Sequence, residues 1–204
     1  MVYSTPIITK RPPKSDRFDL FSPKLNRHIT LFSYWQLQLW IMLETFPCIT
    51  SFCERPDFIE LKNGKQQLID FWLLRVRSET LLVILNDGVS SLELAKPTQL
   101  PISYIRPSLF NRWPYLTKNW QSMLPYLVAQ KHWLDDGNIV KVKKQCDRPM
   151  TLAQLEIKLS NSDQTQARST VFAALAKGFI KAPSLKKEPW TPGMLVMPNH
   201  CHDS

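Results

Sequence analysis

Gln67-Leu68-Ile69-Asp70-Phe71-Trp72-Leu73-Leu74-Arg75, followed after a short polar break by Thr80-Leu81-Leu82-Val83-Ile84-Leu85-Asn86, decides how this chain is read. Both runs are short, apolar and rich in aromatic or β-branched residues, which is the pattern of sheet strands. Upstream, Ile49 to Phe52 and Phe58 to Leu61 have the same character, punctuated by Pro56 and by Asn63-Gly64, a pair that favours a hairpin turn. Before them, roughly Thr30 to Thr45 reads as an apolar helix carrying Trp35, Leu37, Leu39, Trp40, Ile41 and Leu43. One helix feeding a mixed sheet is the expected core, so the fold class is α/β.

Short motifs surround these elements. Ser22-Pro23-Lys24-Leu25-Asn26-Arg27-His28-Ile29 opens the segment, and Leu31-Phe32-Ser33-Tyr34-Trp35-Gln36 leads into the helix. Leu43-Glu44-Thr45-Phe46-Pro47 ends the helix, and Phe52-Cys53-Glu54-Arg55-Pro56 ends the next strand. In order and spacing these resemble the TnsA family, the restriction-endonuclease-like subunit of heteromeric transposases, most clearly over the first half of the chain. The resemblance implies a restriction-endonuclease-like mixed sheet flanked by helices. It also implies double-stranded transposon-end DNA, an integrase-type transposase and a regulator ATPase as partners.

A nuclease of this kind holds a divalent metal between one carboxylate from the helix and another from a strand, with a lysine near the attacking water. The cation lowers the water pKa and stabilises charge developing on the phosphate. Carried over by resemblance, the helix glutamate falls on Gln36, the strand aspartate on Asp70 and the lysine on Asn86. Only Asp70 keeps the family's residue type, so the catalytic positions are vestigial. Asp70 alone makes a weak magnesium or manganese site, and no cofactor is expected unless the protein is active. Glu44, Glu54, Asp57, Glu79 and Asp87 lie nearby as carboxylates to which a migrated site would turn, with Lys62 or Lys65 as its lysine.

The composition fits a nucleic-acid partner. Lys and Arg number 26 against 17 Asp and Glu, a formal net charge of +9, and neutralising phosphates releases condensed counterions. With 44% hydrophobic residues, seven Trp and ten Phe in 204 residues, a folded chain of one large or two small domains is expected. No run of about 18 apolar residues occurs, and the basic N-terminus has no apolar signal core, so the expected location is cytoplasmic, with no membrane partner. Cys48, Cys53, Cys146 and Cys201 are too few and irregular for a disulfide framework or zinc ribbon and read as reduced packing residues. His200-Cys201-His202-Asp203 reads as a tail, since adjacent residues cannot all face one tetrahedral ion.

Five segments follow. Residues 1–21 form a basic arm lying over the first domain or along DNA, and residues 22–110 form the endonuclease-like domain. Residues 111–148 form a helical connector, with a helix expected over Leu116 to His132. Residues 149–182 follow as a winged-helix-type domain: a helix capped by Thr151, a turn at Ser160-Asn161-Ser162-Asp163, a second helix ending at Gly178, and the short strand Phe179-Ile180-Lys181. The second helix is expected to present Gln164, Gln166, Arg168, Ser169 and Thr170 outward, toward DNA or a docking protein. Residues 183–204 form a Pro-rich tail with an exposed Trp190, docking on a partner or on its own domain. Lys24, Arg27, Lys141, Lys143, Lys144, Arg168, Lys177 and Lys181 are the expected nucleic-acid contacts. Three functions remain in play: a TnsA-like transposition subunit with little or no nuclease activity, an active nuclease with a rearranged site, and a non-enzymatic winged-helix DNA-binding regulator.

Overall fold

The computed structural model describes residues 3–160 and 163–199. It divides into two compact units, one of residues 1–43 and 48–112, the other of residues 44–47 and 113–204.

In the first unit the chain begins with a hairpin of β1 (Phe18–Ser22) and β2 (Arg27–Leu31), turned through Asn26 at φ 51°. Helix α1 (Tyr34–Thr45) starts where the Ser33 hydroxyl accepts the Gln36 N–H at 3.1 Å, an N-cap that sets its first turn later than the expected Thr30. From Gln36 to Thr45 every residue of α1 is buried, the polar Gln36, Gln38, Glu44 and Thr45 included. Trp40 is 4% exposed.

The sheet is mixed and four-stranded, in the order β3 (Ile49–Glu54), β6 (Phe71–Arg75), β7 (Ser78–Ile84), β8 (Ile102–Ile105). The first two pairings are antiparallel and β7 runs parallel to β8. Between β3 and β6 lies the hairpin of β4 (Phe58–Glu60) and β5 (Gln66–Leu68), turned at Asn63-Gly64 with Gly64 at φ 76°. The expected single strand from Gln67 to Arg75 is therefore two, broken at Ile69-Asp70. Alternate residues serve two apolar layers. Cys53, Ile59, Ile69, Trp72, Leu81, Val83 and Leu85 form one, with Tyr3 from the N-terminal arm packed on it. Phe52 and Phe71, edge to face at 6.3 Å, belong to the other. Tyr3 and the 2.9 Å bond from the Ile7 N–H to the Arg55 carbonyl lay the arm on this unit.

In the second unit, α2 (Leu116–Ala129) and α3 (Asp136–Gln145) both pack on α5 (Gln164–Ala176), as does α4 (Leu152–Leu159). The stretch expected to be a connector is thus half of a helical core, and the boundary falls at Arg112 and Trp113. α2 stops at Ala129, short of the expected His132. A capping box at Thr151 and Gln154 starts α4. At the other end of α5, Gly178 at φ 75° gives its N–H to the Leu175 carbonyl while Phe179 bonds the Ala174 carbonyl, the two bonds of a Schellman motif. Part of the expected turn, Asn161-Ser162, lies outside the described residues, as do Cys201 and the His200–Asp203 tail.

Residues 183–198 are no free tail. β11 (Leu195–Pro198) is the middle strand of a three-stranded sheet between β10 (Ile180–Lys181) and β9 (Met150–Thr151). Trp190 is partly buried, its indole N–H donating to the Ser122 hydroxyl at 2.8 Å. The buried Asn119 fastens the crossing segment: its amide N–H groups donate to the Leu185 and Glu188 carbonyls, each at 2.8 Å, and its oxygen accepts the Trp190 N–H at 3.0 Å.

Candidate functional site

Asp70 sits at the break between β5 and β6, where the chain leaves one ladder and joins the next. Its own N–H donates to the Leu82 carbonyl and its carbonyl accepts the Arg55 N–H, which fixes the backbone against β7 and the end of β3. Each carboxylate oxygen is then used: Oδ2 accepts the Ile84 N–H at 2.6 Å and Oδ1 accepts Gln36 Nε2 at 2.8 Å. Burial pushes the Asp70 carboxyl up to about 6, against the opposing pull of these two hydrogen bonds.

Gln36, 7% exposed in the first turn of α1, has only one workable orientation. Its Oε1 accepts the Phe32 N–H at 2.8 Å, so its amide N–H group faces Asp70. Flipping the amide would set donor against donor at Phe32 and acceptor against acceptor at Asp70. Gln36 and Asp70 are thus a hydrogen-bonded pair, and the side chain standing where the resemblance leads one to expect a second carboxylate donates a hydrogen bond. These residues do not fit a magnesium ion: one Asp70 oxygen faces an N–H of Gln36, the other the backbone N–H of Ile84, and the Gln36 oxygen faces away. Asn86 lies two residues beyond Ile84, is exposed, and makes no side-chain hydrogen bond to Asp70.

Three of the other carboxylates have partners of their own, and Asp87 is exposed. Glu54, 2% exposed, is held by both Arg27 Nη atoms at 2.8 and 2.6 Å. Glu79 accepts the Trp72 indole N–H at 2.9 Å, and Asp57 accepts the Phe58 N–H at 2.8 Å. Among the described residues no three His, Cys, Asp or Glu side chains gather to hold a metal ion. Cys48, Cys53 and Cys146 are free thiols, and burial pushes the Cys53 thiol up to about 11.

Arg55 is the site's unanticipated residue. It is 8% exposed at φ 46°, stacks over the Phe32 ring with 4.9 Å to the centroid, and donates through Nη1 to the Thr30 carbonyl. Its Nε has no partner among the described residues, and burial lowers its pKa. The only sequence signal was a basic residue ending an otherwise buried strand.

The expected nucleic-acid contacts are mostly committed within the protein. Lys24 donates to the Leu43 carbonyl at 2.6 Å, near the C-terminal end of α1, where positive charge is favourable. Arg27 belongs to Glu54. Arg168 forms a bidentate pair with Glu156 at 2.8 and 3.0 Å and lies 5.9 Å from the centroids of both Tyr126 and Trp190. Lys177 pairs with Asp136 at 2.7 Å, and Lys141 donates to Asn138 at 3.0 Å. Lys144 and Lys181 are exposed and Lys143 is half-buried. Ser169 and Thr170, expected to face outward, are buried, and their hydroxyls donate back to the Thr165 and Gln166 carbonyls. α5 packs against three helices and is mostly buried; its first turn, with Gln164 and Thr165, is exposed, while Gln166, Arg168 and Ala176 are half-buried. No protein-family model matches the chain, and no curated protein matches it.

Proposed function

We propose that this protein is a TnsA-like, DNA-binding transposition subunit whose nuclease site has been converted into a hydrogen-bonded structural joint. The observation that carries the reading is the contact of Gln36 Nε2 with Asp70 Oδ1. A helix-borne group meets a strand-end aspartate beside β7, as in a restriction-endonuclease-like centre, but a neutral donor occupies the position of the second metal ligand. The sheet order β3-β6-β7-β8 with its parallel last pair supports that fold assignment. The succession α3, β9, α4, α5, β10, β11, with β11 central, supports a winged-helix assignment for the second unit. Since α5 is mostly buried, that unit is better suited to docking a transposase or regulator ATPase than to reading a major groove.

The test is cleavage and binding of transposon-end duplex in parallel. Binding without cleavage in magnesium or manganese is expected, with Asp70→Ala leaving the cleavage assay unchanged. Gln36→Glu together with Asn86→Lys is expected to create metal binding, because a second carboxylate then faces Asp70. Metal-dependent cleavage by the unaltered chain, abolished by Asp70→Ala, would overturn the reading in favour of a rearranged nuclease.

A further inference from the structure

The hairpin between β6 and β7 turns through Val76-Arg77, with Arg75 opposite Ser78. Two-residue hairpin turns favour residues that accept positive φ, such as Asn-Gly. Here neither turn residue has positive φ, and the β-branched Val76 is 80% exposed. The turn therefore makes no special demand on either residue, and packing does not account for the exposed Val76. Arg75 and Arg77 are exposed, and no described acid pairs with either. The only carboxylate in the two strands, Glu79, is turned to the Trp72 indole N–H, which leaves the charge at the tip uncompensated. The tip is five residues along β6 from Asp70, about 17 Å at strand spacing, so it is a surface separate from the Gln36–Asp70 joint.

We propose that Arg75-Val76-Arg77 is a contact site for double-stranded DNA. Each exposed guanidinium supplies one phosphate contact, with the exposed Val76 between them in sequence. Guanidinium forks match phosphate geometry, and the single small apolar side chain is too little surface to anchor a protein partner. This inference rests on the DNA-binding reading above and locates one of its contacts.

Anisotropy titrations of a labelled duplex against the full chain, at about 0.05 to 0.2 M salt, test it. Each phosphate contact adds about 0.9 to the slope of log affinity against log salt, so Arg75→Gln with Arg77→Gln is expected to lower the slope by about 1.8. At 0.1 M salt that corresponds to roughly sixtyfold weaker binding. Val76→Ser is expected to weaken binding a few fold at unchanged slope, and all variants are expected to melt as the parent does. A wild-type slope in the double variant would overturn the tip contact alone, as would tighter binding of a single-stranded competitor than of duplex. Absence of duplex binding by the parent protein would overturn the contact and the DNA-binding reading together.

Discussion

The two units differ in how completely their buried polar groups are satisfied. In the second, Asn119 uses both amide hydrogens and its oxygen, Arg168 and Glu156 pair twice, and the hydroxyls of Ser169 and Thr170 bond back to their own helix. In the first, burial raises the pKa of the Asp70 carboxyl, and all three buried side-chain atoms without a partner among the described residues lie there: Thr9 Oγ1, Trp40 Nε1 and Arg55 Nε. Buried polar groups are nearly always satisfied. Among the described residues the exceptions gather in one unit. One of them, Arg55, stands beside the Asp70 joint through its backbone N–H.

The largest effect that would probe this contrast is in the core of the first unit. Trp40→Ala is expected to lower stability by about 3 to 5 kcal/mol, measured by denaturant unfolding. Trp40→Phe, which removes the unpartnered N–H and keeps most of the ring volume, is expected to cost about 1 kcal/mol or less. Equal losses for the two would mean that the indole N–H has a partner, and the contrast would weaken. In the second unit Asn119→Ala removes three hydrogen bonds at about 1 kcal/mol each, so a loss of about 3 kcal/mol is expected. A loss below about 1 kcal/mol would show that the 183–190 segment is held by other contacts.

A smaller change is expected at the joint. Gln36→Glu sets a second carboxylate against Asp70 and takes away its donor, which at pH 8 is expected to cost about 2 kcal/mol. Manganese should restore part of that loss in the variant and leave the parent unmoved, read as a shift in melting temperature. The smallest effect is pH linkage. Because the folded-state pKa of Asp70 is raised from 3.8 to about 6, the folded state holds its proton more tightly than the unfolded one. Its contribution is fully present below about pH 4 and is lost as pH rises through 6. The stability of the parent relative to Asp70→Ala should therefore decline from pH 4 to pH 6.5. A gap that widens with pH would mean that the two hydrogen bonds to the carboxylate outweigh its desolvation.

Local signals in the sequence carried far. Apolar runs located α1, β3, β6 and β7, the Asn63-Gly64 turn and the Thr151 and Gly178 caps were readable, and motif order paired Gln36 with Asp70. Several elements escaped, among them the β1–β2 hairpin, which falls where an extended arm and the motif before the helix were expected. β8 is four residues between prolines and exists through parallel pairing with a distant β7. α3 buries only Ile139 and Val142 on an otherwise polar helix, too weak a periodicity to register. β11 looked like an apolar patch because its partners lie on either side of two helices. Charge was the least legible property. Composition counts lysines and arginines, but whether Arg27 or Lys177 is available depends on Glu54 and Asp136, 27 and 41 residues away.

The central position of β11 also dictates an order of events during synthesis. β9 and β10 are each two residues long and do not pair with one another; both bond only to a strand made after them. The three-stranded sheet cannot close until Pro198 has left the ribosome, whereas the four-stranded sheet is complete once Ile105 has emerged. Folding of the nascent chain is thus staggered, with the first unit formed while α4 and α5 still await their last strand. A stop before Leu195 would leave the helices of the second unit without that sheet.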